Sequence, residues 1–415
     1  MPRAPGRVFA DGVRASAEAL VDALRAPHVD HEIAESLTHP FHSYPARLHP
    51  ATARLLVELV APGAGEAPIV DPFCGSGTAL VEARAAGLRA VGVDLNPLAV
   101  LVARAKTWVA PPQRRKELHQ VGHELTGLAL AAGKAARRSG AEPAPMRKPV
   151  GFDPNARNRR LASWFAPHVR RELELIAFHL DRLATGDPEL AGILTACLSA
   201  ILYKVSSRTS DTDGTWVDRN VPRGAAARNF AQRVELLVSG LHDLARGGGG
   251  LPAIVERDAR DLAAVVPAGT AAGVITSPPY AGTYDYADHQ RLRFDFLALR
   301  HRELDAGEIG ARRSFEHDPA AAAQAWHAAL ADSLDAIARV LGPGRAAAIV
   351  IGDSFAQNRP IYALDDLRGA LSDELVIEAW ASQQRPMLGG REQRAFGDRP
   401  KAEHIVLLRR RGSRG

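Results

Sequence analysis

Two rhythms of apolar residues alternate along the chain. Short unbroken apolar runs precede Asp71 ("EAPIVDPF"), Asp94 ("LRAVGVDLN"), Ser277 ("AGVITSPPY") and Asp353 ("RAAAIVIGDS"). Such runs, bounded by turn residues, predict strands buried on both faces. Between them lie stretches of helical period: "ATARLLVELVAPG" (51–63) stopped by Pro62 and Gly63, "GSGTALVEARAAG" ended by Gly87, and "PLAVLVARAKTWV" with Pro97 in its first turn. "HQRLRFDFLALR", "QAWHAALADSLDAIARVL" (ended by "GPG") and "DDLRGALSDE" predict later helices, and "ELVIEAWASQ" and "EHIVLLRR" the last two strands. Residues 1–36 read as a helix behind a loose leader. Strand, glycine turn, helix, strand, helix predicts the α/β class, a doubly wound Rossmann-like sheet.

From about Pro111 to Gly250 the rhythm becomes helical, as in "RRELELIAFHLDRLA" and "ELAGILTACLSAILYKVSS", with a polar loop at "SSRTSDTDGTW" and a linker-like "GGGG" at 247–250. This divides the chain into an α/β domain, 1–110 with 251–415, and a mainly helical insertion, 111–250. Basic clusters recur in the insertion at Arg114–Lys116, Arg137–Arg138, Arg147–Lys148, Arg157–Arg160 and Arg170–Arg171. They suit phosphate contacts, which position without specifying sequence, and equally suit solvated helix faces.

Composition narrows the classes. The 415 residues carry a formal charge of +5, which fits a polyanionic partner and equally a basic soluble enzyme. Cys74 and Cys197 are the two cysteines, too few for a disulfide framework or a Cys/His cluster, so no metal centre is expected. No apolar leader or membrane-length run appears, and a reducing, cytoplasmic setting is expected with no membrane partner.

Two stretches carry chemistry. In "DPFCGSGT", Gly75 and Gly77 allow a tight strand-to-helix turn and close approach of a ligand to helix N–H groups. The third glycine of the dinucleotide fingerprint is absent, with Leu80 in its place, which disfavours NAD. Asp94, at the end of the next strand, suits a ribose diol; the competing role is a helix cap ahead of Asn96 and Pro97. Cys74 reads as a small packed residue rather than a nucleophile, for lack of a nearby base. In "TSPPY", Pro278 and Pro279 end the strand, fix the backbone and supply no N–H. Ser277 and the freed carbonyls are acceptors, and Tyr280 adds a flat face. That set suits a planar group bearing an amine, such as a nucleobase.

Together these stretches resemble the S-adenosylmethionine-dependent amino-methyltransferases of DNA, the N4-cytosine and N6-adenine group. "FHSYPARLHP" is similar to that family's N-terminal motif, with Tyr44 and Pro45 matching, and "VDLNP" and "ERDARDL" resemble its ribose and adenine segments. The resemblance covers roughly 38–110 and 251–410. It implies a mostly parallel sheet with an antiparallel last strand, and S-adenosylmethionine bound by Tyr44, Asp71, Phe73, Cys74, Gly75, Gly77, Thr78, Asp94, Asn96 and Asp258. It implies that Ser277, Pro278, Pro279 and Tyr280 hold the target base. Ser in the first position leans towards cytosine N4 over adenine N6. The resemblance implies a DNA partner and leaves room for a restriction or defence partner; the same chemistry on RNA is the second reading, mildly disfavoured because no separate RNA-binding module is read in the sequence. An insertion between Asp94 and Asp258 departs from the family's usual layouts. Tyr284, Tyr286, His289 and Arg291 are further candidates for substrate contact, with His289 better read as a surface residue. A non-catalytic nucleic-acid-binding protein on the same scaffold is the alternative from another class.

Overall fold

The alternation of inward-facing residues along each strand explains the architecture. In the computed structural model, which describes residues 6–139, 161–208, 215–217, 219–387 and 389–412, one eight-stranded sheet runs through the molecule. Its strands are β1 (Val8–Gly12), β2 (Ile69–Asp71), β3 (Ala90–Asp94), β4 (Ala253–Glu256), β5 (Ala271–Thr276), β6 (Leu341–Gly352), β9 (Leu375–Gln384) and β10 (Ala402–Arg410), in the order β1-β9-β10-β6-β5-β2-β3-β4. A small hairpin, β7 (Ser354–Ala356) with β8 (Arg359–Ile361), stands apart. From β4 to β6 every pairing is parallel; β10 runs antiparallel to both β6 and β9. This is a mostly parallel, doubly wound Rossmann-like α/β sheet with antiparallel strands at one edge.

Successive residues point to opposite faces. Ile69, Ile275, Val350 and Ile405 pack under α1 (Arg14–Val29) and α2 (Pro50–Val60). Their neighbours Val70, Val274, Ile349 and Val406 pack under the helix Pro319–Val340 through Trp326, Leu330 and Ile337. From β2 the chain winds outwards through β3 to β4, then returns to place β5 on the other side of β2. The β2/β5 junction is therefore the topological switch point, where open α/β sheets bind ligands beyond the strand C-termini.

Residues between β3 and β4 form α4 (Pro97–Lys106), α5 (Pro112–Ser139) and the helices Pro167–Leu183, Pro188–Ile201 and Ala225–Leu244. α4 is shared between two cores. Val100 and Ala103 face the sheet, whereas Leu98, Val102 and Ala105 face the helices through Leu194, Leu198 and Phe230.

Three local expectations change. The leader is an edge strand, β1, paired with β9. "GPG" follows the long helix, which ends at Val340, but it already belongs to β6, which begins at Leu341 rather than at Arg345. The glycine run at 247–250 is wedged rather than loose. A Cβ on Gly247 would lie 2.4 Å from the Ala85 carbonyl oxygen, and one on Gly249 would lie 2.5 Å from that of Arg84. These glycines let the chain cross directly over the end of α3 (Thr78–Ala85).

Candidate active site

The turn after β2 is built around two carboxylates. Asp71 Oδ1 accepts from the Phe73 N–H (3.1 Å) and from the Thr276 hydroxyl (2.7 Å), so it ties the glycine turn to the end of β5. Asp94 Oδ2 accepts from the Gly75 N–H (2.8 Å), and its Oδ1 from the Asn96 N–H (2.8 Å). Burial pushes Asp71 up to about 7 against the pull of these hydrogen bonds, and pushes Asp94 up to about 6. Each Asp94 oxygen keeps a lone pair for a further donor, as a ribose diol requires. Asp94 does not cap α4. Asn96 does, its Oδ1 accepting from Leu98 N–H (2.9 Å), while its Nδ2 donates to the Tyr44 hydroxyl (3.0 Å).

Gly75 and Gly77 both hold positive φ (50° and 81°), which side chains resist. Their surroundings differ. Gly75 lies under the Tyr44 ring, whereas Gly77 packs on Ala103 of α4 and allows α3 to begin there. Ser76 and Thr78 are buried, and their hydroxyls have no hydrogen-bond partner among the described residues. Orphaned polar groups at a helix N-terminus fit a bound anionic or zwitterionic group.

At the end of β5, Trp326 Nε1 donates to the Pro279 carbonyl (3.0 Å), which occupies one of that oxygen's lone pairs. Among the described residues the Pro278 carbonyl accepts no hydrogen bond. The Tyr280 ring lies against Gly352, and its hydroxyl donates to Glu403 Oε1 (3.2 Å). Burial, with Glu403 beside it, holds the Tyr280 phenol well above its usual value.

One cavity brings together Tyr44, Asp71, Phe73, Cys74, Gly75, Thr78, Asp94, Asn96, Asp258, Ser277 and Pro279. Gly77 does not line it, and Pro278 and Tyr280 face an adjoining groove with Tyr284, Tyr286, Arg47, Arg385 and Lys401. Ser277 and Tyr286 line both spaces, as do Ala46, Arg47 and Leu48, so the Ser-Pro-Pro-Tyr corner and that N-terminal stretch together separate them. Asp258 sits at the cavity margin, held by Arg260 (2.6 Å) and capping the turn that follows. Burial raises the Cys74 thiol well above its usual value, and Asp94 and Asp71 push it the same way. It is a packed, protonated thiol rather than a nucleophile.

Sequence reasoning missed Thr276, Arg47 and Glu308. Glu308 lines the cavity and accepts from the Tyr286 N–H (2.5 Å) while paired with Arg313 (2.7 Å). Nothing in its local sequence marks it. Thr276 was legible in principle, as the last inward residue before the corner. His289 and Arg291 lie outside both spaces, and Arg291 binds Asp288 (3.1 Å). Of the basic clusters, Arg114 is spent internally on Glu117 (2.6 Å) and Asp187 (2.7 Å), and Arg170 on Glu174 (2.7 Å). The side chains of Arg137 and Arg138, the clusters Arg147–Lys148 and Arg157–Arg160, and most of the "SSRTSDTDGTW" loop lie outside the described residues.

Residues 40–125 match the family described as UPF0020, RMKL-like, methyltransferase domain. The match spans Tyr44, the glycine turn and Asp94. S-adenosylmethionine is the methyl donor that this match and the fold imply. The orphaned Ser76 and Thr78 hydroxyls, the spare Asp94 lone pairs and the Phe73 ring are a donor, acceptor and apolar set that fits it. The chain is 42% identical over 81 residues to type II methyltransferase M.MvaI of Kocuria varians, covering 19% of this chain and 18% of that protein. It is 45% identical over 53 residues to a tRNA (guanine(10)-N2)-dimethyltransferase of Methanothermobacter thermautotrophicus, covering 13% and 16% respectively. The chain thus aligns with less than a fifth of the length of each of these relatives. Solved structures similar to it include TrmN from Thermus thermophilus (TM-score 0.34, 12% identity, 89% of this chain and 52% of that one) and the rRNA methyltransferase aviRa from Streptomyces viridochromogenes (TM-score 0.30, 14% identity, 89% and 88%). No helix among the described residues is long and apolar enough to cross a membrane.

Proposed function

We propose that this protein transfers a methyl group from S-adenosylmethionine to an exocyclic amine of a nucleic-acid base, with cytosine N4 in DNA as the target. One observation carries the reading: Ser277 and Pro279 of the corner line the cofactor cavity, while Ser277, Pro278 and Tyr280 line the adjoining tyrosine-lined groove. When bound, S-adenosylmethionine supplies an electrophilic methyl. The protein's task is then positioning and hydrogen-bond acceptance, the thioether product being the leaving group and the proton of the methylated amine passing to solvent. A base amine is a weak nucleophile because its lone pair is delocalised into the ring. The Ser277 hydroxyl and the unengaged Pro278 carbonyl accept its two N–H groups and favour a lone pair localised on nitrogen. Tyr280, Tyr284 and Tyr286 offer faces to a base turned out of a duplex. Cys74 and Cys197, both buried, leave no thiol for the covalent route of ring-carbon methylation.

A second reading, a base amine in RNA, is favoured by the tRNA (guanine(10)-N2)-dimethyltransferase match, since that relative's name places its chemistry on an exocyclic amine. Purified protein with methyl-labelled cofactor, offered duplex DNA and total RNA separately, distinguishes the two. Label in DNA recovered as N4-methylcytosine supports the first reading and N6-methyladenine shifts the target base. Label in RNA alone selects the second, and label in neither refutes both.

A further inference from the structure

His119 and His123 stand four residues apart on α5, so both imidazoles project from one face of that helix. Their ring centroids lie 4.3 Å apart. Glu235, on the helix Ala225–Leu244, reaches the same spot: its Oε1 lies 3.2 Å from His123 Nε2. The three side chains are exposed, and each offers one ligand atom within 4.8 Å of the other two. We propose that His119, His123 and Glu235 form a binding site for a divalent transition-metal ion of the Zn²⁺ type, bridging α5 to the helix Ala225–Leu244.

The chemistry and the scaffold agree. Two imidazoles and a carboxylate are a donor set suited to Zn²⁺, Co²⁺ or Ni²⁺, and two histidines at i and i+4 on a helix are a preformed pair of ligands. Bonds of about 2.0–2.2 Å to one tetrahedral ion put neighbouring ligand atoms about 3.3 Å apart. The His123–Glu235 separation already matches; His119 needs only a side-chain rotation to close on it. The two helices are fixed against each other at this level. Gly122, beside His123, and Val234, beside Glu235, are in such close approach that a Cβ on Gly122 would lie 2.7 Å from Val234 Cγ1. Hence no backbone movement is needed to assemble the ligands, and solvent completes the coordination. The site lies outside the cofactor cavity and the groove, so it is independent of the methyl-transfer reading.

Calorimetric titration of Zn²⁺ into the full chain, free of any histidine tag and stripped with EDTA, tests this. A parallel Co²⁺ titration is followed by its visible absorption. The expected result is one ion per chain and a raised melting temperature. In His123→Gln and in Glu235→Gln, binding should weaken by at least the roughly tenfold that loss of a supporting group costs such sites. Both variants should melt like the parent in EDTA, since the changes are on an exposed face. Absence of Zn²⁺ binding in the parent overturns the proposal, as does binding by both variants as tight as the parent's.

Discussion

Thr276 joins the two halves of the site through one hydroxyl, which donates to Asp71 at the end of the neighbouring strand. That pairing matters because Asp71 is buried, and its carboxyl is pushed from 3.8 up to about 7 chiefly by burial. The sign of the stability effect follows. Between these values the folded chain holds a proton that the unfolded chain has released, so the contribution is fully present below about pH 4 and lost as the pH rises through about 7. Asp71→Asn removes that dependence while keeping an acceptor for Thr276 and Phe73. Relative to the parent it should gain stability from pH 4 to pH 8, by up to roughly 4 kcal/mol. Denaturant midpoints at the two pH values measure this; parallel profiles for parent and variant would exclude it. The glycines, Asp94 and the prolines were legible in the sequence because each has a backbone or charge requirement of its own. The bond from Thr276 to Asp71 and the place of Glu308 in the cavity were not, since both exist only once distant segments meet.

Among the elements, α4 shows how a cap can serve a site. Asn96 caps the helix with one side-chain atom and holds Tyr44 over the glycine turn with another. Asn96→Ala should therefore cost about 1–2 kcal/mol from cap and buried hydrogen bond together. It should also weaken S-adenosylmethionine binding by freeing the Tyr44 ring. Thermal unfolding and calorimetry with the cofactor read the two effects, and a stability loss without any loss of affinity would show that Tyr44 is not a cofactor contact. β2, β3, β5 and β6 were legible because burial on both faces leaves solid apolar runs. β1 was not: "VFADG" is mostly exposed and is a strand only through its pairing with β9, from the other end of the chain. The wedged glycines Gly247 and Gly249 misled for a related reason, since a close crossing over Arg84 and Ala85 and a free linker have the same local composition.

At the scale of the whole molecule, the winding order brings residues from four separate stretches to one sheet edge, with the glycine turn and the Ser-Pro-Pro-Tyr corner as neighbours. The helical segment is not an ornament hung on that sheet. Leu98, Val102, Ala105 and Trp108 are buried against it. Replacing residues 111–250 by a short linker would uncover that apolar face, so the shortened chain should aggregate or unfold without cooperativity, as judged by gel filtration and thermal melting. A soluble, cooperatively folding product would mean that the two parts are independent.

The central claim is that methyl transfer to a base amine occurs at the corner that separates cavity from groove. It is tested most directly by nucleoside mass spectrometry of DNA from cells expressing the parent or Ser277→Ala. The account predicts N4-methylcytosine with the parent and a loss of roughly a hundredfold or more with the variant, while calorimetry shows cofactor binding unchanged. Equal modification by both proteins, or methyl groups on a ring carbon, would contradict it.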